Sequence, residues 1–137
     1  MSSQKFAKFL LWLNAAVWLG FGVGYAIAPD GFAALVGADL TRADGYRVMT
    51  DVGVMMVGIA GWYVFCALDD ARTDHGLISA LLICAGLVAG RLIAITVTGS
   101  ANGVVAVYLV LEVLDLALLA LAVRARVAVR RAEVPAH

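Results

Sequence analysis

Apolar residues form long blocks along this chain, and charged residues interrupt them only rarely. No charged residue lies in residues 9–29 or 52–68, and the longest block, residues 76–111, holds only Arg91. A helix that crosses a membrane needs about 20 mostly apolar residues. The pattern therefore predicts four membrane-spanning helices, at about residues 8–28, 50–69, 76–98 and 103–124.

The segments between the blocks have the composition of turns and helix ends. They read PDGFAALVGADLTRADGYR, DDARTD and TGSAN, all rich in Gly, Asp, Asn, Ser or Thr. In the first of them, Phe32, Leu35 and Val36 share one helical face, which predicts a short helix lying flat on the membrane surface. The predicted fold is an all-α, integral membrane four-helix bundle with this interfacial helix after the first span.

Composition supports a lipid environment. Hydrophobic residues make up 64% of the 137 residues and charged residues 15%, against roughly 45–50% and about 25% in soluble domains. The mean hydropathy is +0.96. We interpret residues 1–137 as a single transmembrane domain whose first partner is the lipid bilayer. A net charge of zero gives no reason to expect a nucleic-acid partner.

Basic residues are distributed unequally between the two sides of the predicted bundle. Seven lie on one side, counting Lys5, Lys8, Arg72, Arg124, Arg126, Arg130 and Arg131, whereas only Arg42 and Arg47 lie on the other. Cytoplasmic flanks carry the excess of Lys and Arg. We therefore predict a multi-pass protein of the bacterial inner membrane with both termini cytoplasmic and a basic tail over residues 125–137. The first apolar run exceeds the length of a signal peptide, so we expect it to be retained.

Few residues suit the chemistry of common cofactors. The two histidines are His75 and His137, neither inside a predicted span, so a haem held between helices is not expected. Cys66 and Cys84 form no C-x-x-C pair and have the position of packed thiols. Zinc spacings, phosphate-binding loops and nucleophile elbows are missing. We predict a non-catalytic protein without a cofactor or bound metal.

The candidate site is a set of polar residues inside the third and fourth spans. Charged residues within a span are expensive and indicate function by default. Arg91 would lie roughly 9 Å below the outer surface and Glu112 roughly 13 Å below it, at 1.5 Å per residue. The short TGSAN connection makes these spans antiparallel neighbours, so the two side chains can meet. Tyr108, Glu112 and Asp115 share one face of the fourth span.

Further polar residues extend this candidate site. Asn14 of the first span lies at a depth near that of Asp115, and Arg47 and Asp51 lie at the outer end of the second span. Two interpretations stay open for the Arg91–Glu112 pair, a structural ion pair that fixes helix register and a working ligand or proton site. The predicted ligand-binding or ion-pair residues are Arg91, Glu112, Asp115, Tyr108, Asp51, Arg47 and Asn14.

Glycines recur within the predicted spans at or near four-residue spacing. Small residues at this spacing allow transmembrane backbones to approach closely. Close helix packing is therefore predicted at Gly20, Gly24, Gly53, Gly58, Gly61, Gly86 and Gly90.

Short motifs over about residues 8–124 give a family resemblance. They are APDGF after the first span, LVGADL before the second, Arg47, Gly53 with Gly58, the Gly90-Arg91 pair and Glu112. With these the chain resembles a family of small, uncharacterised bacterial four-helix membrane proteins, loosely similar to the DoxX-like proteins. Where that family carries an aromatic-glycine-glycine step this chain reads TDVG, so no role is carried over to Asp51. The resemblance implies the four-helix fold and, through the quinone-linked complexes of DoxX-like relatives, an accessory-subunit role.

Three functional hypotheses follow. The first is a protein that binds a small amphipathic or anionic ligand, such as a lipid or quinone, in an outward-facing polar pocket at Arg91, Glu112, Asp115 and Tyr108. The second is an accessory or assembly subunit of a larger, quinone-linked membrane complex. The third is a proton-coupled small-molecule transporter that acts as a homo-oligomer, with Glu112 or Asp115 titrating.

The bias of basic residues generates a topology prediction. A reporter fused after His137 is expected to read as cytoplasmic, because the positive flanks stay on that side of the membrane. A reporter placed within residues 38–46 is expected to read as periplasmic. Reporter activity in whole cells measures both, and exchanged readings would contradict the orientation.

Overall fold

The computed structural model describes residues 2–35, 43–99 and 103–133, and these residues form five helices. The helices are α1 Ser3–Ile27, α2 Pro29–Leu35, α3 Ala43–Ala67, α4 Thr73–Thr98 and α5 Gly103–Glu133. The side chains of residues 35, 43, 44, 46 and 133 are outside the description. Among the described residues, four stretches are long and apolar enough to cross a membrane: Ser3–Ile27, Arg47–Ala67, Thr73–Thr98 and Gly103–Ala132.

The predicted all-α fold, with four helices long and apolar enough to cross a membrane, is confirmed, although several helices extend past their predicted limits. The first begins at Ser3 because the Ser2 hydroxyl accepts a hydrogen bond from the Lys5 backbone N–H at 3.3 Å. Helix α5 continues through Glu133, so the first part of the predicted basic tail is helical. Residues 134–137 lie outside the described residues.

The long helices run antiparallel, and their polar ends meet at one end of the bundle, which we call the basic end. Here α1 begins, α3 and α4 are joined by residues 68–72, and α5 ends. Gln4 of α1 donates hydrogen bonds to Asp70 Oδ1 at 3.0 Å and to Thr73 Oγ1 at 3.1 Å. At the opposite end α4 stops at Gly99, whose positive φ of 66° suits a residue without a side chain.

The core lies around α1, which contacts each of the other helices and packs most extensively on α3. Its fully buried side chains come from all four long helices and include Leu10, Leu11, Tyr63, Leu77 and Leu119. By contrast, the outer faces of α4 and α5 expose large apolar residues such as Leu82, Ile93 and Val110. Apolar faces of this extent suit contact with lipid.

A backbone contact between two glycines joins α1 to α3. A Cβ atom on Gly53 would lie 2.6 Å from the Ala26 nitrogen and 2.7 Å from the Gly22 oxygen. The prediction of close packing is therefore confirmed for Gly53. Its partner in the contact is Gly22, which the four-residue spacing did not predict. The prediction is wrong for Gly20, Gly58, Gly61, Gly86 and Gly90, because a Cβ at each of these would meet nothing within 4 Å.

Helix α2 forms where the sequence predicted a short interfacial helix, and part of its predicted surface face packs against α1. That the helix lies flat on the membrane surface stays a prediction. The ring of Phe32 lies against Gly24 so closely that a Cβ atom there would collide with it. Ala33 is buried as well. Because Gly24 lacks a side chain, the ring of Phe32 can pack closely on α1, beside Phe21 and Tyr25. Val36, the third residue of the predicted face, lies outside the described residues.

The glycine contact generates a stability prediction with a matched control on the same helix. Gly53→Ala is expected to destabilise the protein by about 1–3 kcal/mol, because its Cβ would overpack against the α1 backbone. Gly58→Ala is expected to be neutral or stabilising by up to about 1 kcal/mol, since alanine has the better helix propensity and meets open space. Thermal unfolding in detergent measures both, and equal losses would contradict the assigned contact.

Candidate functional site

An ion pair between α4 and α5 forms the centre of the site. Arg91 Nε donates to Glu112 Oε2 at 2.6 Å, within the apolar part of both helices. The Glu112 side chain is 16% exposed and that of Arg91 28%. Charged groups cost free energy in lipid unless they are paired, and the pairing reduces that cost here. Whether the two residues bind a ligand stays a prediction.

Four aromatic rings, which we call the aromatic group, lie on one side of this ion pair. They are Phe21 and Tyr25 of α1, Phe32 of α2 and Tyr108 of α5. The ring centroids lie 5.4 to 6.1 Å apart, with Phe21 between Phe32 and Tyr108. The guanidinium carbon of Arg91 is 5.4 Å from the centre of the Tyr108 ring, a distance typical of a cation–π contact. The site therefore combines one cation with a broad apolar wall.

On the other side of the ion pair, a second polar contact joins α5 to α1. Asn14 is buried, and its Nδ2 donates to Asp115 Oδ1 at 3.2 Å and to the Leu10 carbonyl oxygen at 3.1 Å. The depth estimate from the sequence thus matches a direct contact. The Cys84 thiol donates to the Glu112 carbonyl oxygen at 3.2 Å and so lies between the two polar pairs.

A buried tyrosine of α3 adjoins the Asn14–Asp115 contact. The Tyr63 side chain is fully buried, and its hydroxyl has no hydrogen-bond partner among the described residues. It lies close enough to Asp115 for an electrostatic interaction. All four long helices therefore contribute polar side chains to one connected region, which we call the polar row: Asn14, Tyr63, Cys84, Arg91, Tyr108, Glu112 and Asp115.

Arg47 and Asp51 do not join the polar row. Both side chains are exposed on α3, and neither takes part in a hydrogen bond or ion pair that the described residues show. Helical geometry explains the difference, since Asp51 is two residues before Gly53 and so roughly 200° around the helix from the face that contacts α1. The prediction of these two residues as members of the Arg91 site is not supported by their placement.

Several members of the site were missed or undervalued in the sequence. Cys84 was interpreted as a packed thiol, although it precedes Arg91 by seven residues and so shares its helical face. Phe21 and Tyr25 are four residues apart and share a face of α1 in the same way. Periodicity could have selected both pairs. Nothing in the sequence indicated that Phe32 would insert beside them.

Comparison with known proteins identifies a family description but no biochemical activity. The family model described as "Domain of unknown function (DUF4345)" matches residues 6–123, which include the whole polar row and the aromatic group. No curated protein and no solved structure matches the chain. In the described part of the chain, no cluster of three or more His, Cys, Asp or Glu residues is arranged to hold a metal ion.

The ion pair generates a prediction about coupling between positions 91 and 112. Arg91→Ala and Glu112→Ala are each expected to destabilise the protein by up to about 3–5 kcal/mol, because each strands a half-buried charge. The double variant is expected to recover much of that loss. Arg91→Lys is expected to rescue poorly, since an ammonium cannot reproduce the planar guanidinium that donates through Nε.

Thermal unfolding in detergent, arranged as a double-mutant cycle, measures this coupling. Arg47→Ala is the control, because it removes an exposed arginine from outside the polar row. Losses at positions 91 and 112 that simply add would show that the two side chains do not stabilise the fold through each other.

Proposed function

We propose a function from the site itself, since this chain belongs to the family described as a domain of unknown function, DUF4345. The protein is a non-catalytic integral membrane protein that binds a small amphipathic ligand. The anionic or strongly polar head of the ligand binds beside Arg91, and its apolar body lies against the aromatic group.

The incomplete pairing of Arg91 carries this proposal. A guanidinium has five N–H donors, and among the described residues only Nε donates, to Glu112. The two Nη groups therefore remain available, on a side chain that is 28% exposed. Two parallel N–H groups match a carboxylate or phosphate in bidentate geometry. An anionic head is thus the chemistry that the unused donors favour.

The surroundings of Arg91 favour a ligand that is apolar beyond its head. Phe21, Phe32 and Tyr108 lie edge-to-face beside one another, which leaves apolar ring surface next to the guanidinium. Binding pockets are mostly apolar with a few polar groups that fix orientation. A lipid or a quinone has both parts, and the carbonyl oxygens of a quinone can accept from the same donors.

The proposed location follows from the charges at the two ends of the bundle. Lys8, Arg72, Arg126 and Arg130 gather at the basic end, and the excess of basic residues there supports a cytoplasmic location in a bacterium. The Arg91 site is nearer the opposite end, so ligands enter it from the outer leaflet.

A second candidate function, proton-coupled transport by an oligomer, rests on the titratable members of the polar row. Glu112 and Asp115 lie on one face of α5, and the Cys84 thiol contacts the backbone carbonyl of Glu112. This candidate requires proton uptake into liposomes that is lost in Glu112→Gln. The third hypothesis, an accessory subunit in a DoxX-like, quinone-linked complex, requires a partner chain that co-purifies in fixed stoichiometry.

Ligand binding is tested with dodecanoate as the probe, because it joins a carboxylate to an apolar chain. The full-length protein in neutral detergent is expected to gain thermal stability with dodecanoate in a saturable manner. At a hundred times the Kd the gain is about 2.7 kcal/mol. Dodecanol, which has the same chain but no charge, is expected to give a much smaller shift.

The matched variants separate binding at Arg91 from general effects of an amphiphile. The double variant Arg91→Gln/Glu112→Gln removes both charges together, strands neither, and is expected to lose the response to dodecanoate. Arg47→Gln removes an exposed arginine of α3 and is expected to keep it. An equal response in all three proteins would place the binding elsewhere and overturn the proposal.

A further inference from the structure

A groove between α4 and α5 lies at the basic end, away from the Arg91 site. Its apolar lining comes from Leu77 and Ile78 of α4 and from Val123 and Val127 of α5, and it encloses about 130 Å³. An apolar cavity of about 150 Å³ can hold benzene, so the groove has room for several carbons of an acyl chain. We propose that this groove binds one anionic phospholipid.

Three charged side chains complete the lining of the groove. Arg126 Nε donates to Asp74 Oδ1 at 2.7 Å, and Arg130 contacts the other oxygen of the same carboxylate through Nη2. Two guanidiniums share one carboxylate, so the groove keeps a net charge of one positive. The shared Asp74 fixes the position of Arg126, whose side chain is 16% exposed, whereas that of Arg130 is 60% exposed. The remaining donors of Arg130 can therefore bind a phosphate.

Among the described residues, the two acids of the loop before α4 are paired with cations outside the groove. Asp70, the nearby acid of the loop before α4, pairs with Lys8 of α1 at 2.5 Å. Hydrogen bonds from Lys8 and Gln4 lower the pKa of Asp70 below its usual value, so it stays ionised and paired with Lys8 at neutral pH. Asp69 pairs with Arg72 in the same way, at 3.1 Å. Both acids therefore have closer partners of their own, while Asp70 also interacts electrostatically with Arg126.

The position of the groove identifies a phospholipid as its occupant. The apolar lining continues on α4 into the exposed side chain of Leu82, four residues after Ile78, along which an acyl chain would lie. The arginines lie at the end of the spanning segments, where headgroups are found. Arginines in this position attract anionic lipid. The groove thus has an apolar surface for an acyl chain toward the middle of the helices and a cation for a headgroup at their end. A phospholipid has its acyl chain and headgroup in the same arrangement.

The experiment compares phosphatidylglycerol with phosphatidylcholine of the same acyl chains. The full-length protein in neutral detergent is titrated with each lipid, and native mass spectrometry counts the lipids bound. One phosphatidylglycerol per chain is expected to bind at least about fivefold more tightly than phosphatidylcholine. Arg130→Gln is expected to lower the affinity for phosphatidylglycerol about fivefold, which corresponds to about 1 kcal/mol for one interfacial arginine.

Two further variants locate the effect. Arg131→Gln makes the same change of charge on the next residue of α5, which does not line the groove, and is expected to leave the affinity unchanged. Ile78→Trp fills the groove while keeping its charges, and is expected to abolish the tight phosphatidylglycerol complex. Equal binding of the two lipids, equal losses in Arg130→Gln and Arg131→Gln, or full binding in Ile78→Trp would each overturn the proposal.

Discussion

The need to pair two charges inside apolar helices determines how α4 packs on α5. Neither Arg91 nor Glu112 can face lipid without a large cost, so the two helices must turn these residues toward each other. Once Glu112 faces inward, the positions four residues before and three after it, Tyr108 and Asp115, face inward too. The aromatic contact of Arg91 and the bond from Asn14 to Asp115 both depend on this rotation of α5. One ion pair thus sets the orientation of most of the polar row.

The other half of the site depends on the absence of side chains. Gly22 and Gly53 bring α1 and α3 into backbone contact. Gly24 is two residues further along α1, on the other side of the helix, and leaves space for the ring of Phe32. Through that space α2 reaches Phe21 and Tyr25. Helix packing in membranes relies on such close approach, because lipid tails are as apolar as leucine and provide little drive for association. The glycines therefore support both the fold and the aromatic wall beside Arg91.

The sequence predicted the features that depend on the length of the apolar blocks, the positions of the charges and the shortness of the loops. It missed the features that depend on how each helix is rotated about its own axis. Charge-free blocks defined the four long helices, and a short connection brought Arg91 within reach of Glu112. Helices that are apolar nearly all round carry little periodicity to show which face is buried. For that reason the sequence could not distinguish Gly53 from Gly58, or show that Asp51 faces outward. The contact of Phe32 with α1 could not be predicted, because it depends on a space at Gly24 that only the assembled helices create.

The inward face of α5 also bears on the choice between binding and transport. Along this face Tyr108, Glu112 and Asp115 are followed by Leu119 and Ala122, and only then by Arg126. Leu119 and Ala122 are 0% and 1% exposed, and Leu10, Leu11 and Leu77 are buried with them in one core cluster. An apolar layer therefore separates the polar row from the charges of the basic end. A proton passing from Asp115 to the basic end would have to cross this layer, where the described side chains offer no polar relay along α5. A ligand that binds from one side has no such requirement, and this difference is the reason that we propose ligand binding ahead of proton-coupled transport.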